Sequence, residues 1–134
     1  MPVFDRRGFR TACHEAAHQT GGRVIEFRFS DCVAPNFHQG VIAYQDHLIA
    51  AVCSRDLPLA AVAEPRITDG ADSGPLTFLD APGLLAVLAD RYQVLTTAEL
   101  NGPLDASLWP NLDARDIKYW KPHTLGEALF NYWD

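Results

Sequence analysis

Near the amino terminus, Phe9, Cys13, Ala16 and Thr20 recur at spacings of three and four, the period that gathers side chains on one side of a helix. The spacing predicts a helix over residues 4–20, stopped by Gly21-Gly22. The period then changes to two. In RVIEFRF, residues 23–29, Ile25, Phe27 and Phe29 alternate with Glu26 and Arg28, which predicts a half-buried strand. GVIAYQDHLIAAVC, residues 40–53, reads as two strands joined by a turn near Gln45-Asp46-His47. LAAVAE adds another strand, ended by Pro65.

Beyond Pro65 the pattern is shorter-ranged. TDGADSGP, residues 68–75, collects loop formers, and LTFL after it reads as a short strand. Asp80 is placed to cap a helix carrying Leu84, Leu85 and Leu88. YQVLTTAEL, residues 92–100, reads as a strand entering a turn at Asn101-Gly102-Pro103. Pro103, Pro110 and Pro122 interrupt the stretch that follows. A final helix is expected from Thr124, where T-x-x-E with Glu127 forms a capping box. This order predicts an α+β (or mixed α/β) fold: a two-layer sandwich on a mainly antiparallel sheet of about five or six strands, with an N-terminal, a middle and a short C-terminal helix. No linker, repeat or low-complexity tract divides the chain, so residues 1–134 are expected to form one domain.

Composition narrows the function classes. A chain of 134 residues, 48% hydrophobic, buries enough surface to fold without disulfides or a structural metal. The net charge of −6 arises from 17 acidic and 11 basic residues, the latter scattered apart from Arg6-Arg7. That argues against nucleic acid or an anionic membrane as partner and suits a basic protein. Cys13, Cys32 and Cys53 are odd in number and form no C-x-x-C, as expected of reduced thiols in a cytoplasmic protein. No leader-like apolar run opens the chain, and no segment approaches the ~20 apolar residues of a membrane span.

One stretch carries the signature of metal chemistry. His14-Glu15-Ala16-Ala17-His18 fits H-E-x-x-H, in which two histidines one helical turn apart bind zinc and the glutamate activates its water. With Gly21 the stretch resembles the metzincin signature H-E-x-x-H-x-x-G-x-x-H, and it departs from it at Val24, where the third histidine belongs. The resemblance implies His14 and His18 as Zn2+ ligands and Glu15 as catalytic base, with a third ligand to be supplied from elsewhere. His38 and His47 would join them in a four-ligand site if the hairpin folded against the first helix. No G-x-S-x-G, P-loop or G-x-G-x-x-G is present, and DGADSG lacks the ligand spacing of a calcium loop.

The C-terminal YWKPHTLGEALFNYWD concentrates Tyr119, Trp120, Phe130, Tyr132 and Trp133. At helical spacing Leu125, Leu129, Tyr132 and Trp133 share a side, with Phe130 toward its edge. A helix anchoring the tail in the core is one reading of this composition. Left at the surface, Trp120, Tyr132 and Trp133 are partner-binding residues, with Asp116 beside Asp113 and Asp134 as an acidic rim. The profile is similar to that of bacterial immunity proteins and antitoxins. That similarity implies a small cytoplasmic protein-binding module without catalytic activity or cofactor. The alternative is a small zinc-dependent hydrolase built on His14, Glu15 and His18.

Overall fold

The computed structural model describes residues 5–30, 34–66 and 75–133. The first helix, α1 (Arg6–Thr20), starts where Asp5 caps it: Asp5 Oδ1 accepts from the Gly8 N–H at 2.9 Å. Gly21 ends it in the left-handed conformation, φ 81°, which costs glycine nothing. The buried stripe is Phe9, Ala12, Cys13, Ala16 and Ala17, the side expected from the spacing. Thr20 is half-buried, its hydroxyl 2.6 Å from that of Tyr44.

Four strands follow as an antiparallel meander: β1 (Arg23–Arg28), β2 (Phe37–Ala43), β3 (Leu48–Ser54) and β4 (Leu59–Ala63). The β2–β3 hairpin pairs Phe37 with Ser54 through to Ala43 with Leu48, and Tyr44 N–H closes its turn on His47 O at 2.9 Å. In β1 the expected alternation holds at one end only. A bulge between Val24 and Glu26 inserts an extra residue, so Val24 and Phe27 both pack toward α1 while Ile25 is 48% exposed.

From β4 the chain crosses over through α2 (Pro82–Leu88) to β5 (Gln93–Val94), which pairs parallel with β4. LTFL contributes one bridge, Phe78 to Ala63, rather than a full strand, so the outer edge of β4 is shared by two short pieces. α2 begins at Pro82 with Ala81 as its N-cap and no side-chain cap, because proline at the first helical position is already set for the helix; Asp80 stays outside it. The strand expected over residues 92–100 ends after Val94. Thr96 and Glu99 form a capping box, each side chain accepting from the other's N–H, and start α3 (Thr97–Asn101).

The proline-punctuated stretch holds a 3₁₀ turn (Ala106–Leu108) and α4 (Ala114–Trp120). α5 (Leu125–Leu129) is capped by Thr124, which accepts from Glu127 N–H at 3.2 Å. Glu127 reaches back one residue further than the expected box, to the His123 N–H at 3.0 Å.

The result is an α+β fold on a five-stranded, mainly antiparallel sheet with an N-terminal helix. On one face α1 and α2 enclose Ile42, Ala51, Cys53, Ala60 and Val62. Arg10 lies 5.0 Å and 5.1 Å over the stacked rings of Phe27 and Phe29 at the margin of that layer. The other face is covered as well: Phe37, Val52 and Ala61 pack against Leu95, Leu100, Leu125, Leu129 and Phe130. Alternate residues of β3 and β4 feed the two cores, and their many alanines let both layers come close. Among the described residues no helix is long and apolar enough to cross a membrane.

Candidate partner-binding surface

The H-E-x-x-H residues lie opposite the buried stripe of α1, so His14, Glu15 and His18 are all exposed. His14 meets the Phe27 ring edge-on at 5.6 Å, and Glu15 accepts a 3.4 Å hydrogen bond from Gln19. His38 and His47 are engaged elsewhere. His38 is buried on β2, where its Nδ1 accepts from Ser30 N–H at 2.9 Å and its ring lies against Phe29. His47, at the hairpin turn, stacks on Tyr44 at 5.0 Å and contacts Asp46. Among the described residues no group of three or more His, Cys, Asp or Glu side chains is placed to hold a metal ion. Cys13 and Cys53 are buried between helix and sheet, and burial pushes both thiols up to about 12. Cys32 lies outside the described residues.

The C-terminal aromatics follow a different path from the one their spacing suggests. α5 stops at Leu129, and Phe130, in extended conformation, is the residue that enters the core, 1% exposed between Phe37 and Phe78. Asn131 then organises the tail. Its Nδ2 donates to the carbonyls of Glu127 and Ala128 at the open end of α5, and its Oδ1 accepts from Trp133 N–H at 3.2 Å. Asn36, entering β2, holds the same segment, donating from Nδ2 to Leu129 O at 3.1 Å and accepting from Asn131 N–H at 2.8 Å.

This bonding delivers Tyr132 and Trp133 to the surface. Tyr132 meets Phe37 edge-on at 5.5 Å. Trp133 stacks on Trp120 with ring centroids 5.7 Å apart and planes within 3°. Trp120 is the last residue of α4, a helix with no buried residue, so the indole stack is a principal contact between that helix and the tail. Tyr119, 76% exposed, packs edge-on against Trp120. Beside the stack lies an open cleft of about 420 Å³ to which Trp120, Tyr132, Trp133 and Glu127 contribute. Three of the four residues expected to bind a partner therefore share one cleft.

Asp116, the fourth, is exposed in the first turn of α4 and does not line that cleft. Asp113 caps the same helix, and the backbone N–H of Arg115, with its side chain, holds the Asp113 carboxyl below its ordinary value. Asp134 lies outside the described residues. A second cleft, about 540 Å³, is walled by Trp109, Pro110 and the 71% exposed Leu108, with Glu99 and Asp105 as its charged lining. Both clefts thus combine aromatic and proline walls with carboxylates. Trp109, Glu127 and Asn131 were not legible as site residues: the first stood alone among prolines, Glu127 carried only the signature of helix capping, and Asn131 carried none.

The chain matches no protein-family model, no curated protein and no solved structure among those compared.

Proposed function

We propose that this protein is a small, acidic, cytoplasmic binding module of the immunity-protein or antitoxin kind, which docks without catalysis on another protein through its C-terminal aromatic surface. The observation that carries this reading is the Trp120–Trp133 stack, set beside a cleft and flanked by the exposed Tyr119. Tryptophan and tyrosine at a surface are the side chains that most often dominate binding energy, because their large rigid area is ordered at small entropic cost. Carboxylates in both clefts and a net charge of −6 favour a basic partner.

The test is capture from the native host, with the wild-type chain and Trp133→Ala as parallel baits, followed by reconstitution with the purified partner. A partner retained by the wild type and lost from the variant supports the reading. Recovery of no specific partner, or equal recovery by both baits, counts against it. The zinc hydrolase reading has less support, since His14 and His18 supply two of the three protein ligands a catalytic zinc takes. Near-stoichiometric zinc in untagged protein, lost from both His14→Ala and His18→Ala, would reverse that order.

A further inference from the structure

Glu127 is the one charged side chain among the described residues that line the Trp120–Trp133 cleft. Its Oε2 is taken by the His123 N–H at 3.0 Å, a bond that leaves the other carboxylate oxygen to the cleft. Around it stand the two stacked indoles and Tyr132, whose ring faces carry the negative side of an aromatic quadrupole. The rim already displays the matching chemistry. Arg66 lies 5.9 Å from the centre of the Tyr132 ring and donates from Nη2 to Pro75 O, so a guanidinium already lies against one aromatic ring of the cleft lining.

We infer that the cleft takes a single cationic side chain of the partner, an arginine guanidinium or a lysine ammonium, held against the tryptophan faces with its charge toward Glu127. This rests on the binding reading above and names the group recognised. Occupants of other chemistry are disfavoured for definite reasons. An aliphatic side chain would remove the Glu127 carboxylate from water and offer it no partner. An anionic one would be repelled by the same carboxylate. A long basic side chain lays its methylene stem along the rings and pairs its charged head, satisfying both. The open volume of about 420 Å³ is of the size that small ligand groups occupy.

The experiment uses the intact chain and four blocked tripeptides, Gly-Arg-Gly, Gly-Lys-Gly, Gly-norleucine-Gly and Gly-Glu-Gly. Binding is read from the indole N–H resonances of Trp109, Trp120 and Trp133 in two-dimensional ¹H–¹⁵N spectra. The arginine and lysine peptides should move the Trp120 and Trp133 signals saturably and leave Trp109 in place, with an affinity about threefold or more above that of the norleucine peptide. Glu127→Gln keeps an oxygen to accept from His123 N–H, and it should narrow the gap between the arginine and norleucine affinities. Trp133→Ala should abolish the shift at Trp120. Equal binding of the norleucine and arginine peptides, no effect of Glu127→Gln, or no saturable shift overturns the inference. Because the tripeptides need no partner protein, a chain that captures a partner through Trp133 while its cleft ignores charge keeps the function and loses this recognition. A chain whose cleft selects cations but captures no protein does the reverse.

Discussion

Asn36 and Asn131, 95 positions apart, bind each other in both directions: Asn131 N–H donates to Asn36 Oδ1 at 2.8 Å, and Asn36 N–H donates to Asn131 O at 3.0 Å. The start of β2 and the C-terminal tail are thereby tied at one point, and the remaining Asn131 bonds close α5 and position Trp133. Removing the Asn131 side chain deprives the Glu127 and Ala128 carbonyls of that donor and Trp133 N–H of its acceptor, while the backbone bonds to Asn36 remain. Asn131→Ala is expected to lower stability by about 1–3 kcal/mol in urea unfolding and to weaken the near-ultraviolet dichroism of the tryptophan pair. Unchanged dichroism would mean that the indoles stack without this clamp.

The stack itself is an association of two partly exposed rings, so its loss should be felt locally. Trp120→Ala and Trp133→Ala are each expected to remove the same exciton feature from the near-ultraviolet spectrum, at a cost of about 0.5–1.5 kcal/mol. The double variant should cost little more than the worse of the two single ones. Additive losses would indicate that each indole is held by separate contacts.

On the opposite side of the sheet, Gly40 sits under Cys13. A Cβ added at Gly40 would stand 2.6 Å from Cys13 Sγ and 3.2 Å from the Phe27 ring, both parts of a packed layer. Gly40→Ala is expected to destabilise by about 1–3 kcal/mol through overpacking. Cys13→Ala removes the sulfur and should recover part of that loss in the double variant, a non-additivity measurable by chemical denaturation. Strictly additive effects would show that α1 shifts to relieve the contact.

The two described thiols set a pH limit on stability. Burial raises Cys13 and Cys53 from an ordinary 9.0 to about 12, and burial also raises the Tyr92 hydroxyl that bonds Cys53. Between those values the unfolded chain has lost the thiol protons and the folded chain keeps them, so the unfolded state binds fewer protons and stability falls as pH rises. Unfolding free energy is expected to be level up to about pH 8.5 and to decline toward pH 11, with a shallower decline in Cys53→Ala. The same burial predicts that both thiols resist alkylation until the chain is denatured. Rapid labelling of native Cys13 or Cys53, located by peptide mapping, would contradict this.

Legibility followed the range of the interactions. The buried stripe of α1 and the β2–β3 hairpin were readable because local periodicity and a local turn determine them. The face presented at the start of β1 was misassigned, since a bulge adds one residue without any compositional mark and reverses parity from Ile25 back to Val24. α3 was written in the chain as Thr96-x-x-Glu99, yet the β pattern of the preceding residues was extended over it. The tail was the hardest to read. Whether Tyr132 and Trp133 stay on the helix depends on Phe130 turning into the core and on a distant Asn36, neither of which has a local signature. The surface residues Trp120, Tyr132 and Trp133 were identifiable by composition, whereas their convergence on one cleft is a product of tertiary structure.

Sheet order runs from β1 to β5 among the described residues, which leaves β1 at a margin. The bulge after Val24 kinks that margin, and Arg23, Glu26 and Arg28 stud it with charge. An added strand from a neighbouring molecule would meet an interrupted hydrogen-bonding ladder and ionised side chains to desolvate. Strand addition at β1 is therefore disfavoured, and the edge that could template self-association is the one carrying the bulge and the charges.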